Sequence, residues 1–96
     1  MTHLTLISES PLQLQPLIQT ALAHEMGMLE VSIRQSQHRL HAFERRFAMP
    51  TAEFLARYES DQFEETLDFA EWIGEFRLLE RLREKMLAFL QRGKPQ

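Results

Sequence analysis

His38 and His41 stand three residues apart, a spacing at which one turn of helix can present two imidazoles to a single metal ion. No third ligand follows at a diagnostic spacing, and Arg39, Arg45 and Arg46 surround the pair with a field that opposes a cation, so no metal is expected. Glu59, Asp61, Glu64, Glu65, Asp68 and Glu71 form an acidic run with no intervening base. A divalent-metal nuclease would need such carboxylates to converge in a cleft, and a calcium loop would need a glycine and spaced ligands that are missing. A solvated acidic loop feeding a helix N-terminus, whose dipole favours negative charge, is the plainer expectation; a docking surface for a basic partner is the other. Arg77, Arg81, Arg83, Lys85, Arg92 and Lys94 make the C-terminal part basic, opposed there only by Glu80 and Glu84. Phosphate contact is one reading of them, and a solvated helix face with i,i+4 pairs is the other. No helix-turn-helix, ribbon or zinc pattern accompanies them, and the net charge is −3, so direct nucleic-acid binding is not expected. There is no GxSxG, no Gly-rich phosphate loop and no nucleophile beside a recognisable base, so neither catalysis nor a cofactor is expected.

The elements that position these groups are helical. Leu22, Met26, Leu29, Ile33, Leu40, Phe43 and Phe47 recur at intervals of three, four or seven, with Ser36 at the missing step. That is a heptad seam, and it predicts one long helix packed on another. Ser10-Pro11-Leu12-Gln13 reads as a capping box with proline at the first helical position, but Pro16 would then remove an interior hydrogen bond. The helix therefore either kinks at Pro16 or starts there, and Met49-Pro50 ends it. Thr51 is positioned to cap a short helix reaching Tyr58, which reads as a connector and not a core layer. After the acidic stretch, Leu67, Phe69, Trp72, Ile73, Phe76, Leu79, Leu82, Met86, Phe89 and Leu90 give a second long amphipathic helix, stopped by Gly93 and Pro95. Thr2, Leu4 and Leu6 leave the start of the chain as a short strand or an arm.

The chain has 96 residues, 44% of them hydrophobic and 26% charged, which describes one small soluble domain. The expected division is an N-terminal arm over residues 1–10, a hairpin domain over 11–93 and a tail over 94–96. Cysteine is absent, which excludes disulfides, thiolate nucleophiles and Cys-based zinc sites and suits a reducing cytoplasm. No apolar run is long enough for a membrane span, and residues 1–10 carry no positive region of the signal-peptide kind. The fold class expected is all-α: two long antiparallel helices in a coiled-coil hairpin, joined by a short helix. Arg39, Arg45 and Arg46 would then meet Asp68, Glu71 and Glu75, while Glu25 and Glu30 would approach Arg81, Arg83 and Lys85.

Two helices cannot cover both sides of their apolar residues. Leu12, Leu14, Leu17, Ile18, Met28 and Val31 in the first helix and Ile73, Leu78, Leu87 and Leu90 in the second are surplus to the seam. Self-association into a dimeric bundle, or another protein, would bury them. In Trp72-Ile73-Gly74-Glu75-Phe76, a mid-helix glycine costs about 1 kcal/mol against alanine and predicts a close neighbour. That neighbour is either the first helix or a partner helix anchored by Trp72 and Phe76.

The segment Phe54-Leu55-Ala56-Arg57-Tyr58-Glu59-Ser60, followed by Asp68-Phe69-Ala70-Glu71-Trp72-Ile73-Gly74-Glu75-Phe76 with Leu79 and Leu82, resembles the second half of small helical antitoxin-like proteins of bacterial toxin-antitoxin loci. The resemblance spans about residues 43–90, and its distinctive parts are the Arg-Tyr-Glu-Ser turn and the Glu-Trp-x-Gly-Glu-aromatic run. The chain departs from that pattern at Pro50, where a capping serine is usual, and at Asp61, where glycine is usual. The resemblance implies non-covalent neutralisation of a toxin encoded nearby, with Phe69, Trp72, Gly74, Phe76 and Leu79 as the binding seam. Two other readings remain: a homodimeric structural coiled-coil protein, and a small all-helical enzyme of chorismate-mutase-like architecture. The enzyme would need cations gathered inside a bundle to hold two carboxylates.

Overall fold

The computed structural model describes residues 11–93, without the side chains of residues 11–13. Three helices follow one another: α1 (Pro11–Phe47), α2 (Thr51–Glu59) and α3 (Leu67–Gly93). The expected hairpin of two long helices joined by a short one is the fold. The strand or arm expected near residues 2–7, and the tail over 94–96, lie outside the described residues. At 37 residues α1 is about 55 Å long, and α3, at 27, is about 40 Å. α1 is helical from Pro11 through Pro16, so it does not begin at Pro16.

The first turn of the chain is made by backbone conformation. α1 stops at Phe47, before Met49-Pro50, because Ala48 takes the left-handed conformation, with φ 54°. The Met49 N–H then reaches back to the Glu44 carbonyl at 3.1 Å, the long bond of a Schellman motif. α2 ends in the same way. Asp61 has φ 58°, its N–H donates to the Tyr58 carbonyl at 3.1 Å, and the Gln62 N–H donates to the Arg57 carbonyl at 3.0 Å. α3 begins at a true side-chain cap, where the Thr66 hydroxyl accepts the Phe69 N–H at 3.1 Å.

The cap expected of Thr51 is replaced by a different arrangement. Pro50 occupies the N-cap of α2 and has no side-chain acceptor, so the Glu44 carboxylate of α1 takes the Thr51 N–H at 2.8 Å. Thr51 is left buried, and its hydroxyl accepts the indole N–H of Trp72 at 3.0 Å. A helix expected to be a mere connector therefore belongs to the core. Phe54 of α2 and Trp72 of α3 are both 0% exposed, and their rings lie parallel with centroids 3.9 Å apart. Phe43 and Phe47 of α1 also stack on Trp72, each at 5.6 Å, while Phe63 and Phe69 close on Phe54. Leu40, Ile73 and Leu79 complete the buried cluster, so Ile73 is core and not surplus.

Candidate interaction surface

Ser36, the missing step of the seam, is fully buried. Its hydroxyl donates to Glu75 Oε2 at 2.7 Å, while Arg39 Nε donates to Glu75 Oε1 at 2.7 Å. Partial burial works against the charge of Glu75, but the bonds from Arg39 and Ser36 outweigh it and hold its carboxyl below the ordinary range. The same pairing lifts Arg39 above its usual value. Glu44 behaves alike: desolvation opposes its charge, and hydrogen bonding from Thr51, with the nearby charge of His41, lowers its pKa overall. Tyr58 is raised by donating its hydroxyl to Glu65 at 2.7 Å.

The expected charge register is present at the closed end, where Arg46 meets Asp68 at 3.0 Å and Arg39 meets Glu75. Glu71 and Arg45 take no part in it. At the open end, Glu25 and Glu30 form no ion pair with Arg81, Arg83 or Lys85. Every arginine among the described residues is exposed, as is Lys85, so no interior cation cluster of the chorismate-mutase-like kind is found within the described part of a single chain.

The five residues of the implied binding seam separate into three environments. Trp72 and Leu79 are buried inside the hairpin, and Phe69 and Phe76 are half-buried against the same cluster. Gly74 is exposed, and a Cβ built on it would meet nothing within 4 Å. Among the described residues none makes the close approach expected at Gly74, so the expected fit beneath the first helix is corrected. Gly74 instead lies in an open groove of about 440 Å³ with Phe43 and Leu78 as apolar lining and Arg39, Glu71 and Glu75 as charged ones. The groove thus combines apolar, small and charged lining residues.

Sequence reasoning passed over Glu44, Thr51 and Phe54 as organising residues. The signal for Phe54 was present, since Phe54, Leu55 and Tyr58 share one face of α2. No helix among the described residues is long and apolar enough to cross a membrane. Compared with known proteins, the chain matches no family model, and no curated protein or solved structure is significantly similar to it.

Proposed function

We propose that the chain is a non-catalytic, antitoxin-like binding module that acts in the cytoplasm and neutralises a cognate toxin through the α3 side of its hairpin. The carrying observation is Gly74, a helix-interior glycine with no neighbour within 4 Å of its Cβ position among the described residues, bare within a groove that has apolar and charged walls. A glycine retained at a conformational cost of about 1 kcal/mol fits a surface on which another backbone comes close. In this reading Gly74 and the half-buried Phe69 and Phe76 meet the partner. Trp72 and Leu79 act as positioning residues that hold α3 against α1. Glu71 and the acidic run before it suit a basic partner. The resemblance supports the same assignment, and Asp61, where that pattern carries glycine, does adopt the conformation that glycine favours. A structural homodimer is the second reading, favoured by the exposed apolar residues of α1; self-association is compatible with both.

The test is co-expression with the protein encoded beside this one, using wild type and Gly74→Trp. The site of substitution is open, so the variant folds, and its indole fills the groove. The expected result is that wild type suppresses the neighbour's toxicity and co-purifies with it, and that Gly74→Trp does neither. A neighbour that is harmless alone and does not co-purify overturns the reading, as does full protection by the variant.

A further inference from the structure

α1 carries a second seam on the side away from α3. Leu17, Ala21, His24, Met28, Val31, Gln35, His38 and Ala42 follow one another at alternating steps of four and three, and all are exposed. Not one of them is Asp, Glu, Lys or Arg. A helix face that is merely solvated carries charge, as the outer side of α3 does with Arg77, Arg81, Lys85 and Arg92. Here Leu17 and Met28 are 53% and 52% exposed on a line with no charged residue, and alanines at two steps allow a close approach. Two shallow concavities lie along it, one lined by Val31, Gln35 and His38 with flanking arginines, the other by Ala42, Phe43, Arg39 and Arg46.

The charges beside this seam select its occupant. Glu25 lies in the first half, Glu30 at the midpoint, and Arg34 and Arg45 in the second, where Arg39, Arg46 and Glu44 are already committed to Glu75, Asp68 and Thr51. A parallel copy would stack Arg34 on Arg34 and Glu25 on Glu25, whereas an antiparallel copy sets Glu25 opposite Arg34 on both sides of the axis. Helix length points the same way. Arg39 faces Glu75 and Arg46 faces Asp68, and that antiparallel register carries Gly93 level with about Ala21, leaving roughly the first ten residues of α1 beyond α3. An antiparallel copy lays this overhang on the closed end of its mate, with Leu17 over Ala42.

We infer that a second copy of this chain docks antiparallel along the outer seam of α1, about a two-fold axis between Met28 and Val31. The inference gives a surface to the self-association included in the functional reading and rests on that reading only in this respect; toxin capture at Gly74 would survive its failure. The test is the solution mass of the full chain by light scattering and sedimentation, with cross-linking on the cysteine-free background. Wild type is expected to be a dimer at micromolar concentration. Met28→Glu and Val31→Glu should each weaken association about a hundredfold, roughly tenfold for each of the two copies, with helicity unchanged. Leu87→Glu, off the seam, should remain dimeric. A mixture of Leu17→Cys and Ala42→Cys chains should cross-link, and Leu17→Cys alone should not. A wild-type monomer at all concentrations, dimeric Glu variants, or Leu17→Cys chains that join each other would overturn the inference, while the co-purification test at Gly74 reports separately on the toxin reading.

Discussion

Thr51→Val isolates one bond at the centre of the fold. The two side chains are nearly the same shape and the site is buried, so no cavity opens and helix propensity hardly changes. What is lost is the acceptor for the Trp72 indole N–H, 3.0 Å away on a side chain that is 0% exposed. No water reaches that N–H, and no other acceptor is bonded to it. Leaving a buried donor unpaired costs about 1–3 kcal/mol, so we expect a loss near 2 kcal/mol. In a domain of this size that lowers Tm by about 8–16 °C. Trp72 is the only tryptophan, so its fluorescence in a urea titration reads this site directly, at one fixed protein concentration because self-association would shift the midpoint. Thr51→Ser keeps the oxygen and should lose less than about 1 kcal/mol. If Thr51→Val unfolds within about 0.5 kcal/mol of wild type, or Thr51→Ser is as unstable as the valine variant, the hydrogen bond is not what holds α2 against α3.

Three further outcomes are expected. Glu75→Ala takes the 2.7 Å acceptor from the buried Ser36 hydroxyl, which keeps only the backbone carbonyl of residue 75 at 3.3 Å, and should cost about 1–1.5 kcal/mol in urea unfolding, whereas Arg39→Ala, on an exposed side chain, should cost less, below about 1 kcal/mol. Glu44 and Glu75 have folded pKa values below the ordinary 4.5, so the unfolded chain takes up their protons first. The stability they contribute is present above that value and is lost as pH falls through the lower folded values; an acid titration should show this limb flattened in Glu44→Gln and Glu75→Gln. Ala48→Gly should raise stability by about 0.5–1 kcal/mol by relieving a left-handed alanine, and Asp61→Gly by less, because aspartate tolerates that region better; paired thermal melts compare them.

The hairpin was legible because its signals are local and periodic. The Leu22 to Phe47 spacing and the restart at Leu67 each depend on neighbours in sequence. The burial of Phe54 was not legible, since a nine-residue helix with one apolar face becomes core only when the chain folds it across Trp72. Ala48 gives no turn signal, so the end of α1 was assigned to Pro50, two residues beyond the left-handed alanine that makes it. Ser36 read as a defect in the seam until Glu75 was found opposite it. Gly74 predicted a close neighbour, but none lies within 4 Å of its Cβ position among the described residues, because the spacing within one sequence does not report how near a second helix comes. Leu17, Met28 and Val31 were legible as surplus apolar residues, but not as one continuous seam, because His24, Gln35 and His38 interrupt them without carrying the fixed charge that marks a solvated face.

Stability and binding are spatially divided in this fold. A pair of helices buries one arc of each, and large aromatic side chains are fully enclosed where a third element covers the joint. α2 supplies that cover at one end, which is why Phe54 and Trp72 lose all contact with solvent and why the ring-to-ring contacts fall among residues 43–72. Among the described residues there are only two helices away from α2, and one past the level of Gly93. Leu22, on the inner seam, is 37% exposed there although its heptad position matches that of the buried Leu29. The same sequence periodicity thus gives a dry core at one end and an open apolar edge at the other, and the number of covering elements alone makes the difference. Substitutions among Thr51, Phe54 and Trp72 act on folding, whereas those along the outer line from Leu17 to Ala42 touch nothing the hairpin needs and act on whatever docks there.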